Sequence, residues 1–179
     1  SGTGSPEGVV TAAPGSTWLQ TDSTTDVKGW LRWVKSTGTG NTGWVAGPEA
    51  DTGLRDVSSL IPAAHLALNP NAKMWLRRTG SLVTVAYFSG ASPTATGLQT
   101  LANNTTLPFG FRFSKATSGL TPAGTLIDSV SGAGSAVSIY TPSAGQINSG
   151  THVSGTRVQG SISWTTDDAF PSSLPGTAA

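Results

Sequence analysis

The stretch that decides the fold is residues 73–88, which read KMWLRRTGSLVTVAYF. Two β-favouring runs flank Thr79-Gly80, and glycine is a residue that tight hairpin turns favour. The pattern therefore predicts an antiparallel hairpin that turns at Thr79-Gly80. Four further short β-favouring runs follow, separated by residues typical of turns: 110–113, 124–130, 136–140 and 157–164.

The last of these runs alternates in character. Val158, Ile162 and Trp164 lie on one face, and polar residues lie on the other. This alternation predicts a half-exposed antiparallel strand. About seven strands after residue 73 are typical of a β-sandwich or jelly-roll head.

Helical periodicity is confined to residues 57–68. Leu60, Ala64 and Leu68 keep an i, i+4 spacing, but Pro62 interrupts the run. Because proline removes a backbone donor inside a helix, we predict a turn or coil there. The fold class predicted from the whole pattern is all-β.

The first third of the chain has a different texture, because it holds four of the six tryptophans. Its β-favouring runs are 8–11, 17–20, 29–35 and 43–45. In the third run Trp30, Arg32 and Val34 share one face, and Leu31, Trp33 and Lys35 share the other. Neither face is polar, and this part is too short to cover both faces itself. We expect another copy of the chain to cover it.

These textures divide the chain into three predicted parts. Residues 1–56 form a β neck module, residues 57–72 a connector and residues 73–179 the head domain. The chain opens on Ser1-Gly2-Thr3-Gly4 without an initiator methionine or a signal-peptide pattern. We therefore expect it to be a piece of a longer protein.

Composition excludes several classes of protein. Ser, Thr, Gly and Pro make up nearly half of the chain, and charged residues are 11% with a net charge of +1. Such a chain lacks the basic surface that nucleic-acid phosphates require. No apolar run approaches the roughly 20 residues that span a bilayer. With no cysteine, disulfides and thiolate metal sites are also excluded.

Motifs for catalysis are missing as well. Residues 38–43 match the dinucleotide fingerprint GxGxxG by letters, but residues 44–48 cannot begin the helix that the motif needs, so we predict a hairpin loop. No Gly-x-Ser-x-Gly elbow occurs, and His65 and His152 have no partner at metal-ligand spacing. Asp167-Asp168 follow two threonines and are typical of an Asx turn. We predict a protein without catalysis, cofactor or metal.

Residues for sugar binding are present but dispersed. Sugar sites combine an aromatic platform with polar groups, and the candidate ligand-binding residues are Trp75, Arg77, Asn103, Asn104 and Tyr140. Trp75 lies in an apolar strand, so a place in the core or an interface is the alternative. Tyr140 ends a strand, and Asn103 and Asn104 lie in a loop, so we expect these three to be exposed.

Two groups of segments resemble proteins of bacteriophage tails. Residues 4–16, followed by residues 35–44, resemble a module of tail fibres and minor tail proteins, where it forms a trimeric neck before a distal head. Residues 51–57, 76–85 and 166–177 resemble the C-terminal regions of tail proteins from phages of actinobacteria. The resemblance implies a homotrimer that adheres to the host surface, and residues 89–150 carry no part of it.

Sequence and resemblance lead to one functional hypothesis. The chain is expected to be a fragment of a tail fibre or receptor-binding protein that attaches the virion to a glycan of the bacterial envelope. Its partners would be its own copies, the cell-surface polymer and the rest of the tail, without nucleic acid or membrane insertion. The predicted trimer interface is Val9, Val10, Trp30, Leu31, Trp33 and Trp44.

Two alternatives stay open. The chain could be a purely structural trimerisation neck and cap of a fibre. It could also be a fragment of a polysaccharide depolymerase, although glutamate is scarce for that chemistry.

Overall fold

A computed structural model describes residues 1–68, 70–88, 99–102, 107–113, 119–128, 136–141, 147–149 and 158–179. In this part of the chain two antiparallel β-sheets account for almost all regular structure, with a single short α-helix beside them. The predicted all-β class is confirmed at this level. No helix in these ranges is long and apolar enough to cross a membrane.

The smaller sheet contains β1 (Thr17–Gln20), β2 (Leu31–Lys35) and β3 (Trp44–Ala46), in that order. Trp33 stands between Trp18 on β1 and Ala46 on β3, so these three side chains share one face. These strands lie where the sequence predicts them. The strand predicted at residues 8–11 is wrong, because Val9 and Val10 both donate their N–H groups to the Pro6 carbonyl and form a turn.

The loop between β2 and β3 is the hairpin connection predicted for residues 38–43. Ser36 donates its N–H to the Gly43 carbonyl, and Lys35 pairs with Trp44 at the end of the ladder. The glycine pattern therefore closes a hairpin and precedes no helix.

The larger sheet has nine strands in the order β12-β4-β5-β6-β11-β8-β9-β10-β7. Their bounds are β4 (Arg55–Asp56), β5 (Lys73–Thr79), β6 (Leu82–Phe88), β7 (Gln99–Ala102), β8 (Gly119–Asp128), β9 (Ala136–Thr141), β10 (Ile147–Ser149), β11 (Val158–Thr165) and β12 (Thr177–Ala178). Because β4 pairs with β5, the residues just before position 57 belong to this sheet. The division at residue 56 stays a prediction.

The hairpin predicted for residues 73–88 is confirmed. Thr79 pairs with Leu82, so the turn residues are Gly80 and Ser81, one position later than predicted. Gly80 has a φ of 58°, and a Cβ there would lie 2.5 Å from the Pro48 carbonyl oxygen. Only glycine suits this turn, because a larger residue would be strained and would collide with the backbone at Pro48.

The core lies against one face of β5, β6 and β11. Its buried side chains include Met74, Leu76, Val83, Val85, Ile162 and Trp164. The Trp164 ring stacks on Phe113 with 4.3 Å between centroids, and its Nε1 donates to the Phe111 carbonyl. From residue 159 onward β11 alternates between buried and exposed, as predicted.

Two local predictions on this side of the chain are wrong. The strand predicted at residues 110–113 is a turn, because Gly110 has a φ of 94° and Phe111 donates its N–H to Pro108. The coil predicted for residues 57–68 contains a 3₁₀ turn (Ser58–Leu60) and α1 (Ala63–Leu68). Pro62 stands just before α1 and its carbonyl accepts the Leu66 N–H, a position where proline's missing donor costs nothing.

Candidate functional site

A cleft of about 740 Å³ lies between the small sheet and the β5–β6 turn of the large sheet. Residues 107–113 and 167–172 contribute its other wall through Phe109 and the segment that follows β11. The volume falls within the range of about 300–1,000 Å³ that small-molecule sites occupy. Its aromatic lining is Trp33, Trp44, Phe109 and Phe170, and its polar lining is Ser5, Glu7, Arg78, Ser81, Asp167, Asp168 and Ser172.

The two tryptophans of the cleft are held by hydrogen bonds from their indole nitrogens. Trp33 Nε1 donates to Gln20 Oε1 at 3.0 Å, and Trp44 Nε1 donates to the Val10 carbonyl at 2.9 Å. Phe109, in contrast, is 59% exposed. The cleft therefore combines fixed rings on one wall with an exposed ring on the other.

Glu7 joins the N-terminal segment to the β2–β3 loop. Its carboxylate accepts the N–H groups of Gly43 at 3.2 Å and Trp44 at 2.8 Å. The next residue, Gly8, donates its N–H to the Asn41 carbonyl, and the Asn41 side-chain amide donates to the Gly8 carbonyl. Glu7 itself stays exposed, so its remaining lone pairs can accept hydrogen bonds from a ligand.

Arg78 is the buried residue that connects the segments around the cleft, and 5% of its surface is exposed. Its guanidinium donates to four backbone carbonyls at 2.5 to 2.9 Å, those of Gly80, Gly110, Asp168 and Ala169. Burial lowers the pKa of Arg78, and the nearby Asp168 charge opposes that shift. This one side chain thus connects the β5–β6 turn with the two segments that form the other wall of the cleft.

Asp168 fixes the loop that carries Phe109. Its carboxylate accepts the Gly110 N–H at 2.9 Å and two N–H groups of Arg112 at 3.0 and 2.9 Å. Burial alone would raise the pKa of Asp168, but the hydrogen bonds from Arg112 and Gly110 hold it below its ordinary value. The Arg112 guanidinium in turn lies 4.9 Å from the Phe109 ring centroid.

The Thr166 hydroxyl accepts the Asp168 N–H, so a threonine caps this turn and the predicted Asx turn is wrong.

Two of the residues predicted to bind a ligand, Trp75 and Arg77, lie on β5 outside the cleft. Arg77 is committed to an ion pair with Asp51, at 3.0 Å through Nε and 2.5 Å through Nη2, and Trp75 is half-buried on β5. Tyr140 lies on β9, four strands away from β5 in the sheet order. Asn103 and Asn104 lie outside the described residues. Neither Trp75 nor Arg77 lines the cleft.

The residues predicted at a trimer interface fall into three groups. Val9 and Trp30 are 74% and 39% exposed, whereas Leu31 and Trp44 are buried within the chain itself. Val10 and Trp33 are intermediate, and Trp33 and Trp44 line the cleft. The interface stays a prediction.

Sequence reasoning missed Glu7, Arg78 and Phe109 as site residues. Their contacts join segments far apart in the chain, such as Arg78 and Ala169, which are 91 positions apart.

Among the described residues no group of three His, Asp or Glu side chains could hold a metal ion. In comparisons with known proteins, no family model, no curated protein and no solved structure matches the chain.

Asp51 makes stability depend on pH. The hydrogen bond from Arg77 holds the pKa of Asp51 below its ordinary value of 3.8, although burial opposes it. Its contribution is therefore complete above about pH 4 and is lost as the pH falls through the lower folded value. We expect Asp51→Asn to lower the free energy of unfolding at pH 7 by about 1–2 kcal/mol, with a difference from wild type that shrinks in acid.

Urea unfolding at a series of pH values measures this effect. Asp167→Asn is the control, because Asp167 is exposed and forms no ion pair in the described part of the chain. An Asp51→Asn difference that stays the same from neutral pH down into acid would contradict the assignment.

Proposed function

We propose that this chain is part of a bacteriophage tail fibre or receptor-binding protein that attaches to a glycan of the bacterial envelope without catalysis. The observation that carries the proposal is the cleft, in which aromatic rings stand beside carboxylates and hydroxyl groups. It would act on the virion as a homotrimer, with a β neck and a β-sandwich or jelly-roll head.

The lining suits a sugar for two reasons. The C–H faces of a sugar ring are apolar and pack against aromatic rings, and Phe109 offers such a ring at the surface. Sugar hydroxyls need hydrogen-bond partners, which Glu7 and the serines of the lining supply. A surface-exposed ring next to convergent polar groups is typical of a binding site.

The outer face of the small sheet supports the trimer. Leu19 and Val45 are exposed there, on the face opposite Trp33, and Val34 on the same face is half-buried. Contact with further copies would cover these apolar side chains. Three weak glycan sites on one particle would then bind a cell surface more tightly than one.

The same exposed face favours the structural alternative. A neck and cap would need this face for association and would need no ligand in the cleft. Attachment to cells separates the two functions, because the cap binds no bacterium.

Phe109→Ala should weaken attachment of the fluorescent chain to bacteria by about tenfold, because stacked aromatic contacts at a binding site each contribute about 1 kcal/mol or more. Flow cytometry on a panel of actinobacterial strains measures the binding. Leu54→Ala, which also shortens an exposed apolar side chain but lies outside the cleft, should bind as wild type does. Attachment to no strain would favour the cap, and release of reducing ends from wall material would favour the depolymerase.

A further inference from the structure

We infer that the cleft selects saccharides that are neutral or carry amines, and disfavours polymers that carry phosphate or carboxylate groups. The inference rests on the proposed function and names the class of glycan. It follows from which charges of the cleft a ligand can reach.

The accessible charges of the cleft are negative. Glu7 and Asp167 are both exposed, and Asp167 forms no ion pair among the described residues. A carboxylate accepts hydrogen bonds from sugar hydroxyls and, more strongly, from an ammonium group. The entrance therefore favours ligands that donate.

Among the residues that the structure describes, the cations near the cleft are bound to acceptors of the chain itself. Arg78 is 5% exposed and its guanidinium is bound to four backbone carbonyls. Lys35, which pairs with Trp44 across the ladder, is 1% exposed and donates to the Thr42 carbonyl. Arg112 is more accessible, but it does not line the cleft, and the Nε–Nη2 edge of its guanidinium is paired with Asp168.

An anionic polymer would therefore meet carboxylates, and no cation in the described part of the cleft is free to offset them. Its anionic groups would lose their hydration on entering the cleft and would meet like-charge repulsion there. A neutral saccharide avoids this cost, and an amine-bearing one gains attraction. Because both carboxylates are exposed, salt should weaken the attraction for amines and leave binding of neutral sugars nearly unchanged.

The test uses wall glycans from the strains to which the whole chain attaches, separated by anion exchange into an anionic fraction and a fraction without anions. The chain should bind the second fraction at least about tenfold more tightly, and Phe109→Ala should weaken that binding. Equal or tighter binding of the anionic fraction would overturn the inference. Attachment to cells with binding to neither fraction would also overturn it and would indicate a protein receptor. Failure to attach to any strain would instead remove the proposed function.

Two substitutions test the charges themselves. Asp167→Asn and Glu7→Gln should each weaken binding of tetra-glucosamine by about three- to fivefold more than binding of the β-1,4-linked glucose tetramer, and should relax the exclusion of the glucuronate tetramer. Asp167→Asn breaks no hydrogen bond of the described structure, so it remains informative if Glu7→Gln disturbs the loop. Asp22→Asn, at an exposed carboxylate outside the cleft, is the matched control. Selectivity unaffected by either cleft substitution would contradict the role of these carboxylates.

Discussion

Replacing Arg78 with leucine is expected to lower the free energy of unfolding by about 3–5 kcal/mol, because four backbone carbonyls lose their donor in a largely buried region. Leucine cannot donate, and water reaches this part of the chain poorly because Arg78 is almost wholly buried. Urea denaturation followed by tryptophan fluorescence measures the loss.

The matched control is the neighbouring arginine. Arg77 points to the opposite face of β5, its side chain is half-exposed, and its ion pair with Asp51 is partly in water. Arg77→Leu should cost only about 1 kcal/mol. Arg78→Lys should lie between the two, because an ammonium keeps the charge but lacks the planar fork that reaches several carbonyls. Equal losses for Arg77→Leu and Arg78→Leu would show that the carbonyl contacts do not stabilise the fold.

The same contacts connect stability to the cleft. Gly110 follows Phe109, and Ala169 precedes Phe170, so two carbonyl partners of Arg78 adjoin two aromatic residues of the lining. Loss of the guanidinium should loosen both segments. We therefore expect Arg78→Lys to weaken attachment even where the chain remains folded.

The parts of the fold that sequence predicted are those with local signals. The hairpin of residues 73–88 has alternating strands around a glycine, and β11 alternates with a period of two. Both patterns lie within a few neighbouring residues, so no distant contact is needed to recognise them.

The predictions that failed depended on backbone geometry which composition does not reveal. Residues 8–11 and 110–113 look like strands, but Gly8 and Gly110 adopt positive φ and the following N–H groups bond back to Pro6 and Pro108. Pro62 inside the periodic run predicts a broken helix, yet a proline just before the first helical residue is compatible with the start of a helix.

No local sequence pattern predicts the cleft, because its lining comes from segments that are far apart in the chain. Residue type favours Trp75 and Arg77 as site residues, but Arg77 forms an ion pair with Asp51. The arginine that lines the cleft is the next residue, Arg78. On β5 the two arginines look alike in sequence, and only the face of the strand distinguishes them. The partners of Arg78 are carbonyl oxygens, which any residue provides, so no sequence pattern marks them.

Replacing Lys35 with methionine is expected to raise the free energy of unfolding by about 1–2 kcal/mol. Lys35 is 1% exposed, and no carboxylate of the described residues forms an ion pair with it. Burying an ammonium costs several kcal/mol, and the Thr42 carbonyl and the Trp44 ring, 5.9 Å from the Nζ atom, offset only part of that cost.

Methionine is similar in length to the lysine stem and would keep its packing beside Trp44. The Thr42 carbonyl that loses its donor belongs to an exposed residue, so water can replace the ammonium. Lys28→Met, at an exposed lysine near Trp30, should change stability by less than about 0.5 kcal/mol and serves as the control. A lower denaturation midpoint for Lys35→Met would show that the bond to Thr42 outweighs desolvation. A higher denaturation midpoint would mean that the buried lysine destabilises a single chain. The role of Lys35 would then lie in the function of the β2–β3 loop and not in the stability of the fold.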